Sequence, residues 1–168
     1  SIYSRWYSKY PVTTVLNYPK LDSLNTFKSL DRSGNEFFYI GGVSNQRGLD
    51  VILEACSLLD QREINFKVHF VGAVSDKNEI NKYPTLKNKV VFYGRMDLLE
   101  GYIISQQCIA GLAVLKPLAN FVESFPTKIF EYMSIGLPVI SSNFELYKNV
   151  VIDNNAGVCV DPTSPTDI

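Results

Sequence analysis

Two glutamates with seven residues between them, Glu123 and Glu131, bracket the start of an amphipathic run that passes through Gly136 into the apolar segment Pro138-Val139-Ile140-Ser141-Ser142. A helix that begins near Pro126 leaves unpaired backbone N–H groups in its first turn. Proline suits that position because its missing N–H would have had no intrahelical partner. Such an end is an anion site, and phosphate is its natural ligand. Within the helix, Ile129, Phe130 and Met133 predict one apolar face, while Thr127, Glu131 and Ser134, at i, i+4 and i+7, predict a polar stripe beside it. At a rise of ~1.5 Å per residue, Glu131 falls about 7 to 8 Å from the helix start, the span from a nucleotide's diphosphate to its ribose hydroxyls. One carboxylate can then accept from both hydroxyls while the N-terminus holds the phosphates. Ser124, Phe125, Pro126 and Thr127 line the approach and, except at Pro126, offer backbone N–H groups to phosphate and sugar.

A second segment, Gly41-Gly42-Val43-Ser44-Asn45-Gln46-Arg47-Gly48, follows an apolar strand pattern and opens a helical one. Its N–H groups and Arg47 can face the same phosphates from the opposite side. A guanidinium offers bidentate contacts to phosphate oxygens and balances the charge of a leaving diphosphate. Read alone, Arg47 is equally a solvated residue at a helix start. The segment has neither the glycine spacing of a dinucleotide fingerprint nor the Gly-Lys-Ser/Thr of a P-loop.

Apolar runs suited to strands alternate with helix-length amphipathic runs. The predicted strands are Phe37–Gly42, Phe66–Gly72, Lys89–Gly94, Ile109–Leu115, Pro138–Ser142 and Gly157–Val160. The predicted helices are Gly48–Leu59, Lys77–Tyr83, Asp97–Gln107, Thr127–Ile135 and Glu145–Val150. This alternation implies an α/β fold, an open parallel sheet with helices on both faces. Near-continuous apolar strands such as Val68-His69-Phe70-Val71 fit burial on both sides. Three strands end in glycine, at Gly41-Gly42, Gly72 and Gly94. Each glycine could simply begin a turn, but ligands of open α/β sheets bind over that edge.

Taken in order, Phe37-Phe38-Tyr39-Ile40-Gly41-Gly42 with Arg47-Gly48, Val71-Gly72, Val91-Phe92-Tyr93-Gly94, the Glu123 to Ser142 segment and Gly157-Val158-Cys159-Val160-Asp161-Pro162 resemble the donor half of retaining glycosyltransferases of the GT-B fold, family 4 type. The resemblance covers roughly residues 36 to 165 and implies a Rossmann-like half of a GT-B fold. It gives Glu123 a role in orienting the donor sugar at its anomeric carbon. Without it, Glu123 reads as an exposed loop carboxylate. It also makes Gly94, Arg95 and Met96 the place where the base lies against backbone, although they equally suit a turn and a helix start. In that family a pair of basic residues, Arg then Lys, commonly occupies the second segment. Here the first position reads as Gly42 and only Arg47 fits the second, which leaves open whether Arg95 or Lys128 supplies another cation.

The composition sets outer bounds. The chain has 168 residues, 46% of them hydrophobic and 12% aromatic, enough for one buried core. Sixteen basic and 17 acidic residues give a net charge of −1, so no global field favours nucleic acid or an anionic bilayer as the principal partner. The apolar stretch from Cys108 to Leu115 is far shorter than the ~18 residues a spanning helix needs. Cys56, Cys108 and Cys159 are widely spaced in apolar surroundings. They suit small buried hydrophobes in a reducing cytosol better than a disulfide or zinc framework. His69, the only histidine, sits within an apolar strand and reads as a satisfied core residue. With no Asp-x-Asp and no His, Cys or carboxylate cluster at metal-ligand spacing, a donor site without metal or other cofactor is expected.

Residues 1–35, rich in Tyr, Ser, Lys and Asn and containing Asn17-Tyr18-Pro19, read as the tail of a preceding domain and an interdomain linker. Residues 36–168 read as a C-terminal nucleotide-sugar-binding domain cut short after Asp161-Pro162. The resemblance implies a hexosyltransferase of glycan or polysaccharide biosynthesis. It would be cytoplasmic, at most peripheral to the inner face of the membrane, with a nucleotide sugar and an N-terminal acceptor domain as partners, and the fragment alone would be inactive. Two alternatives stand beside it. One is a GT-B nucleotide-sugar 2-epimerase, which wants further acid/base carboxylates and histidines. The other is a noncatalytic nucleotide-sugar sensor or interaction domain that keeps only the fold.

Overall fold

Continuous apolar strands cannot be left with a face in water, and each strand here but the last is followed by a crossover that returns over the sheet. The computed structural model describes Lys9 and residues 34–168, so the tail and linker expected before residue 36 lie almost wholly outside the described residues. Strands β1 (Glu36–Ile40), β2 (Lys67–Val71), β3 (Val90–Gly94), β4 (Ala110–Ala113), β5 (Val139–Ser142) and β6 (Gly157–Val160) form one sheet in the order β3-β2-β1-β4-β5-β6. Every pairing is parallel. The helices are α1 (Leu49–Gln61), α2 (Leu98–Ser105), a short α3 (Ala119–Val122), α4 (Thr127–Ser134) and α5 (Glu145–Val151).

Alternation along β1 divides the core. Phe38 and Ile40 join a cluster with Tyr102 of α2, Ile129 and Tyr132 of α4, and Tyr147 and Val151 of α5. Tyr39 joins a second cluster with Leu49, Ile52, Leu53 and Cys56 of α1. Successive side chains of a strand point to opposite faces, so these clusters are the two layers that cover the sheet. The α/β class and six expected strands are present, with ends trimmed by one or two residues at most edges.

Three readings need correction. The helix expected over Lys77–Tyr83 is instead a pair of 3-10 turns, Glu79–Lys82 and Pro84–Asn88. Pro84 cannot donate to a continuing α-helix, and Asn78 and Asn81 favour turns. Helix α3 had no counterpart, because four residues between Pro117 and Pro126 carry no readable period. In α4 the buried residues are Lys128, Ile129 and Tyr132, so the apolar face is rotated from the expected Ile129, Phe130 and Met133. Phe130 and Met133 are half-buried, and the Phe130 ring packs at a tilt of 60° against Phe125, with centroids 5.6 Å apart.

The sheet is loosest where its winding reverses. Between β1 and β4 only Phe37↔Ala110 and Phe38↔Gly111 are in register. Beyond them Tyr132 of α4 inserts its hydroxyl, which accepts from the Ile40 N–H at 3.1 Å and donates to the Leu112 carbonyl at 3.3 Å. A helix side chain thus replaces the missing rung of the ladder, and both backbone groups stay paired in a buried place.

Candidate functional site

The reversal between β1 and β4 is a topological switch point, where the crevice outside the carboxyl ends of the strands can admit a ligand. Each expected donor-site segment leaves the sheet at this edge. Gly41 and Gly42 follow β1, and a 3-10 turn over Asn45–Arg47 carries Arg47 into α1. Gly48 then takes a left-handed φ of 83°, and a Cβ placed there would stand 2.3 Å from the Val114 carbonyl oxygen. Glycine is required at that close approach, which fixes the turn and with it Arg47. Asn45 ties the turn down from outside: its N–H donates to Asp76 at 2.8 Å and its amide donates to Glu79 at 3.0 Å. Lys82, 2.6 Å from Glu79, is the first cause of that carboxyl's lowered pKa, followed by the bond from Asn45.

Arg47 and Lys128 converge on the glycine turn. A Cβ built on Gly42 would lie 3.6 Å from Nε of Arg47, and one on Gly41 would lie 3.8 Å from Nζ of Lys128. The Arg47 guanidinium carbon sits 5.4 Å from the Phe121 ring centroid, so α3 forms a wall on that side. Lys128 is 5% exposed, its Nζ lies 3.5 Å above the Tyr39 ring, and no group hydrogen-bonds to it. Burial first, and then Arg47, lower its pKa from the usual 10.5 to about 7, while Glu131 opposes them. The Tyr39 hydroxyl donates to the Gly42 carbonyl at 2.7 Å, holding the turn over the lysine.

Helix α4 begins with Thr127, and Pro126 stands at its N-cap without a side chain that could cap it. No side chain caps this first turn, and Lys128 within it is the residue that reaches the Gly41 turn. Thr127, Glu131 and Ser134 are all half-buried along one line, as the spacing predicted. Glu131 lies close to Tyr102, whose phenol pKa is raised by burial first and by that carboxylate second. The contact places Glu131 against a rigid core residue.

The remaining expected site residues are more open. Glu123 is exposed at the C-cap of α3, with Ser124 and Phe125 exposed after it. Gly94 closes β3 with a positive φ of 74°, Arg95 is exposed beyond it, and Met96 packs against the α2 side of the core. A groove of about 330 Å³ lined by Val74, Lys77, Phe92, Tyr93 and Gly94 adjoins the end of β3. Arg95 follows an edge strand and Lys128 flanks the central one, so the structure brings Lys128, and not Arg95, to Arg47. Wider grooves of about 530 and 610 Å³ open at the amino ends of the strands, near Pro138 and Gly157 and near Glu36 and Lys67. They lie at the wrong edge for a ligand of an open parallel sheet, and the converging cations locate the site better than volume does.

Tyr39, Tyr102, Phe121 and Tyr132 were not foreseen as site-forming residues. Aromatic residues at strand and helix positions look alike whether they fill a core or hold a charged neighbour in place. The sequence also hid a polar group at the far end of the sheet. His69 is buried, with Nδ1 2.9 Å from the Tyr93 hydroxyl and Nε2 2.7 Å from Glu36, as suits a satisfied core histidine. The ligand atoms of Glu36, His69 and Cys108 all lie within 4.8 Å of one another, a set that could in principle hold a metal ion. The pairing of β1 with β2 and the turn that leads into β4 bring them together, which is why no sequence spacing revealed the set. Cys56 and Cys108 are buried and Cys159 is half-buried, as small apolar side chains of a core are.

With this geometry established, relatives can be compared. The family of glycosyl transferases group 1 matches residues 24–168. The chain belongs to that family. No curated protein matches it. Among solved structures, the chain is similar to a sucrose-phosphate synthase from Thermosynechococcus elongatus at TM-score 0.66 and 19% identity, over 89% of this chain and 38% of that one. It is similar to HepE of Anabaena, solved in complex with UDP, at TM-score 0.63 and 14% identity, over 89% and 42%. It is also similar to the C-terminal domain of the group 1 glycosyl transferase LpcC from Francisella tularensis, at TM-score 0.62 and 16% identity, over 88% and 78%. These likenesses establish the fold: the open sheet is Rossmann-like and matches one half of a GT-B glycosyltransferase. The chain spans about two fifths of the length of the first two proteins. No helix among the described residues is long and apolar enough to cross a membrane.

Proposed function

We propose that this family member is the nucleotide-sugar-binding C-terminal domain of a retaining glycosyltransferase, family 4 type. The whole enzyme would move a hexose from a nucleoside diphosphate sugar to an acceptor hydroxyl with retention at the anomeric carbon. The carrying observation is the convergence of Arg47 and the open N-terminus of α4 on the Gly41-Gly42 turn at the switch point, with Glu131 one turn along the same helix. In this reading the diphosphate lies between Arg47 and the first turn of α4. Charge accumulates on it as the glycosidic bond breaks, so groups fixed before the reaction stabilise the transition state more than the bound substrate. Glu131 accepts from the ribose hydroxyls, Glu123 meets the sugar, and the base lies toward Gly94, Arg95 and Met96. The cations at the turn carry the neutralising charge, so the site is read as working without a metal. The UDP bound to the Anabaena protein supports this choice of ligand class. The acceptor would come from an N-terminal domain, on a route to a glycan or polysaccharide. A cytoplasmic location, at most peripheral to the membrane, belongs to the same reading.

The test is thermal and calorimetric titration of the 168-residue chain with UDP, GDP and ADP. Stabilisation by one of them, with little or no sugar transfer by the chain alone, is expected. Absence of binding to all three would overturn the reading, and multiple-turnover transfer would overturn the division of labour between two domains.

A further inference from the structure

Lys128 is an unusual residue to bury. Its side chain is 5% exposed, it lies on the buried face of α4 with Ile129 and Tyr132, and its ammonium position has no hydrogen-bond partner. An isolated ammonium taken out of water is costly unless it is paired or gives up its proton. The groups facing it are few: the Tyr39 ring below it from β1, Arg47 from the turn before α1, and Glu131 from its own helix. Arg47 repels it, and Glu131 offsets that only in part. An acceptor is therefore missing on the side where Lys128, Arg47 and the first turn of α4 meet. A dianionic group placed there would supply it.

We propose that Lys128 is the second diphosphate-binding cation of this chain and that at pH 8 it is largely uncharged in the empty site, taking a proton from solvent when the diphosphate enters. This rests on the donor-site reading above and adds the identity and charge state of one ligand. The lowered pKa, about 7, agrees with the geometry, since a dianion beside the amine favours its protonated form. Arg47 stays charged throughout, so the two cations differ: one is permanent and the other arrives with the ligand. The empty site thereby avoids holding two unpaired positive charges side by side.

Gly42 allows an independent check. Its backbone is outside the left-handed region, and a Cβ there would make an ordinary 3.6 Å contact with Arg47, so a side chain at this position would enter the same crevice. Binding of UDP is measured by calorimetry at pH 8 in buffers of different ionisation enthalpy, so that proton uptake is counted on the unmutated chain. At that pH the phosphate's own proton is already off. Uptake of about one proton per UDP is expected. Lys128→Met should weaken UDP by about 10- to 100-fold and abolish the uptake. The double variant Gly42→Arg, Lys128→Met should recover most of the affinity with no proton uptake, because arginine is never discharged. Wild-type affinity in Lys128→Met, or no uptake by the unmutated chain, would overturn the proposal while leaving the donor-site reading intact. Failure of the unmutated chain to bind UDP, GDP and ADP alike would overturn both.

Discussion

Replacing Tyr132 with phenylalanine keeps the ring and removes one oxygen, which makes it a clean probe of the seam between β1 and β4. The hydroxyl accepts from the Ile40 N–H and donates to the Leu112 carbonyl, and the side chain is fully buried. In Tyr132→Phe neither backbone group has water to turn to. A buried donor or acceptor left unsatisfied costs about 1–3 kcal/mol. The carbonyl bond is the longer of the two and contributes less, so the total should be roughly 2–3 kcal/mol. For a chain of this size that lowers the melting temperature by roughly 4–12 °C. Ring packing against Phe38, with centroids 6.0 Å apart, should persist, so near-ultraviolet dichroism and compactness should change little. Differential scanning calorimetry of the two proteins gives the answer. A shift below about 1 °C, with the ring in place, would show that the hydroxyl does not hold the seam and that the ladder there is satisfied in another way.

Three further outcomes are expected. Lys128 has a folded pKa of about 7 against 10.5 unfolded, so the unfolded chain binds more protons between those values and the empty protein gains stability as pH rises from 7 to 10.5. Lys128→Met should therefore raise stability by on the order of 2–4 kcal/mol at pH 7, with the advantage shrinking toward pH 10 in denaturant titrations. Arg47→Ala should weaken a nucleoside diphosphate by about 1.5–3 kcal/mol and the bare nucleoside hardly at all; equal losses in calorimetry would mean damage to the turn instead. Glu131→Gln should cost a ribonucleoside diphosphate more than its 2′-deoxy analogue, and a coupling near zero in that double cycle would remove the ribose assignment.

What the sequence made legible was whatever depends on period and order. Strand and helix alternation, the polar line Thr127, Glu131 and Ser134, and the arrival of Gly41-Gly42 and α4 at one edge follow from local patterns and a parallel sheet. The burial of Lys128 was not legible, because a hydrophobic pattern counts lysine as polar, and its enclosure depends on Tyr39 and the Arg47 turn closing over it. The same holds for Glu36, His69 and Cys108, which only the tertiary fold unites. The helix expected over Lys77–Tyr83 is a 3-10 turn at Glu79–Lys82 because Ile80 and Tyr83 keep an i, i+3 spacing that both kinds of helix share, and Pro84 stops the run.

The Tyr132 bond to Ile40 joins residues 92 positions apart, and it closes a sheet in which each pairing already spans a crossover. Closing so long a loop has an entropic cost that must be met before the contacts on either side repay it, so this seam should form late on the folding route. The ligand crevice lies on that seam and exists only once it has closed. A bound nucleotide should then leave the refolding rate almost untouched and act on the reverse step, slowing escape from the native state. The protein's lifetime, more than its speed of maturation, would follow the supply of its ligand.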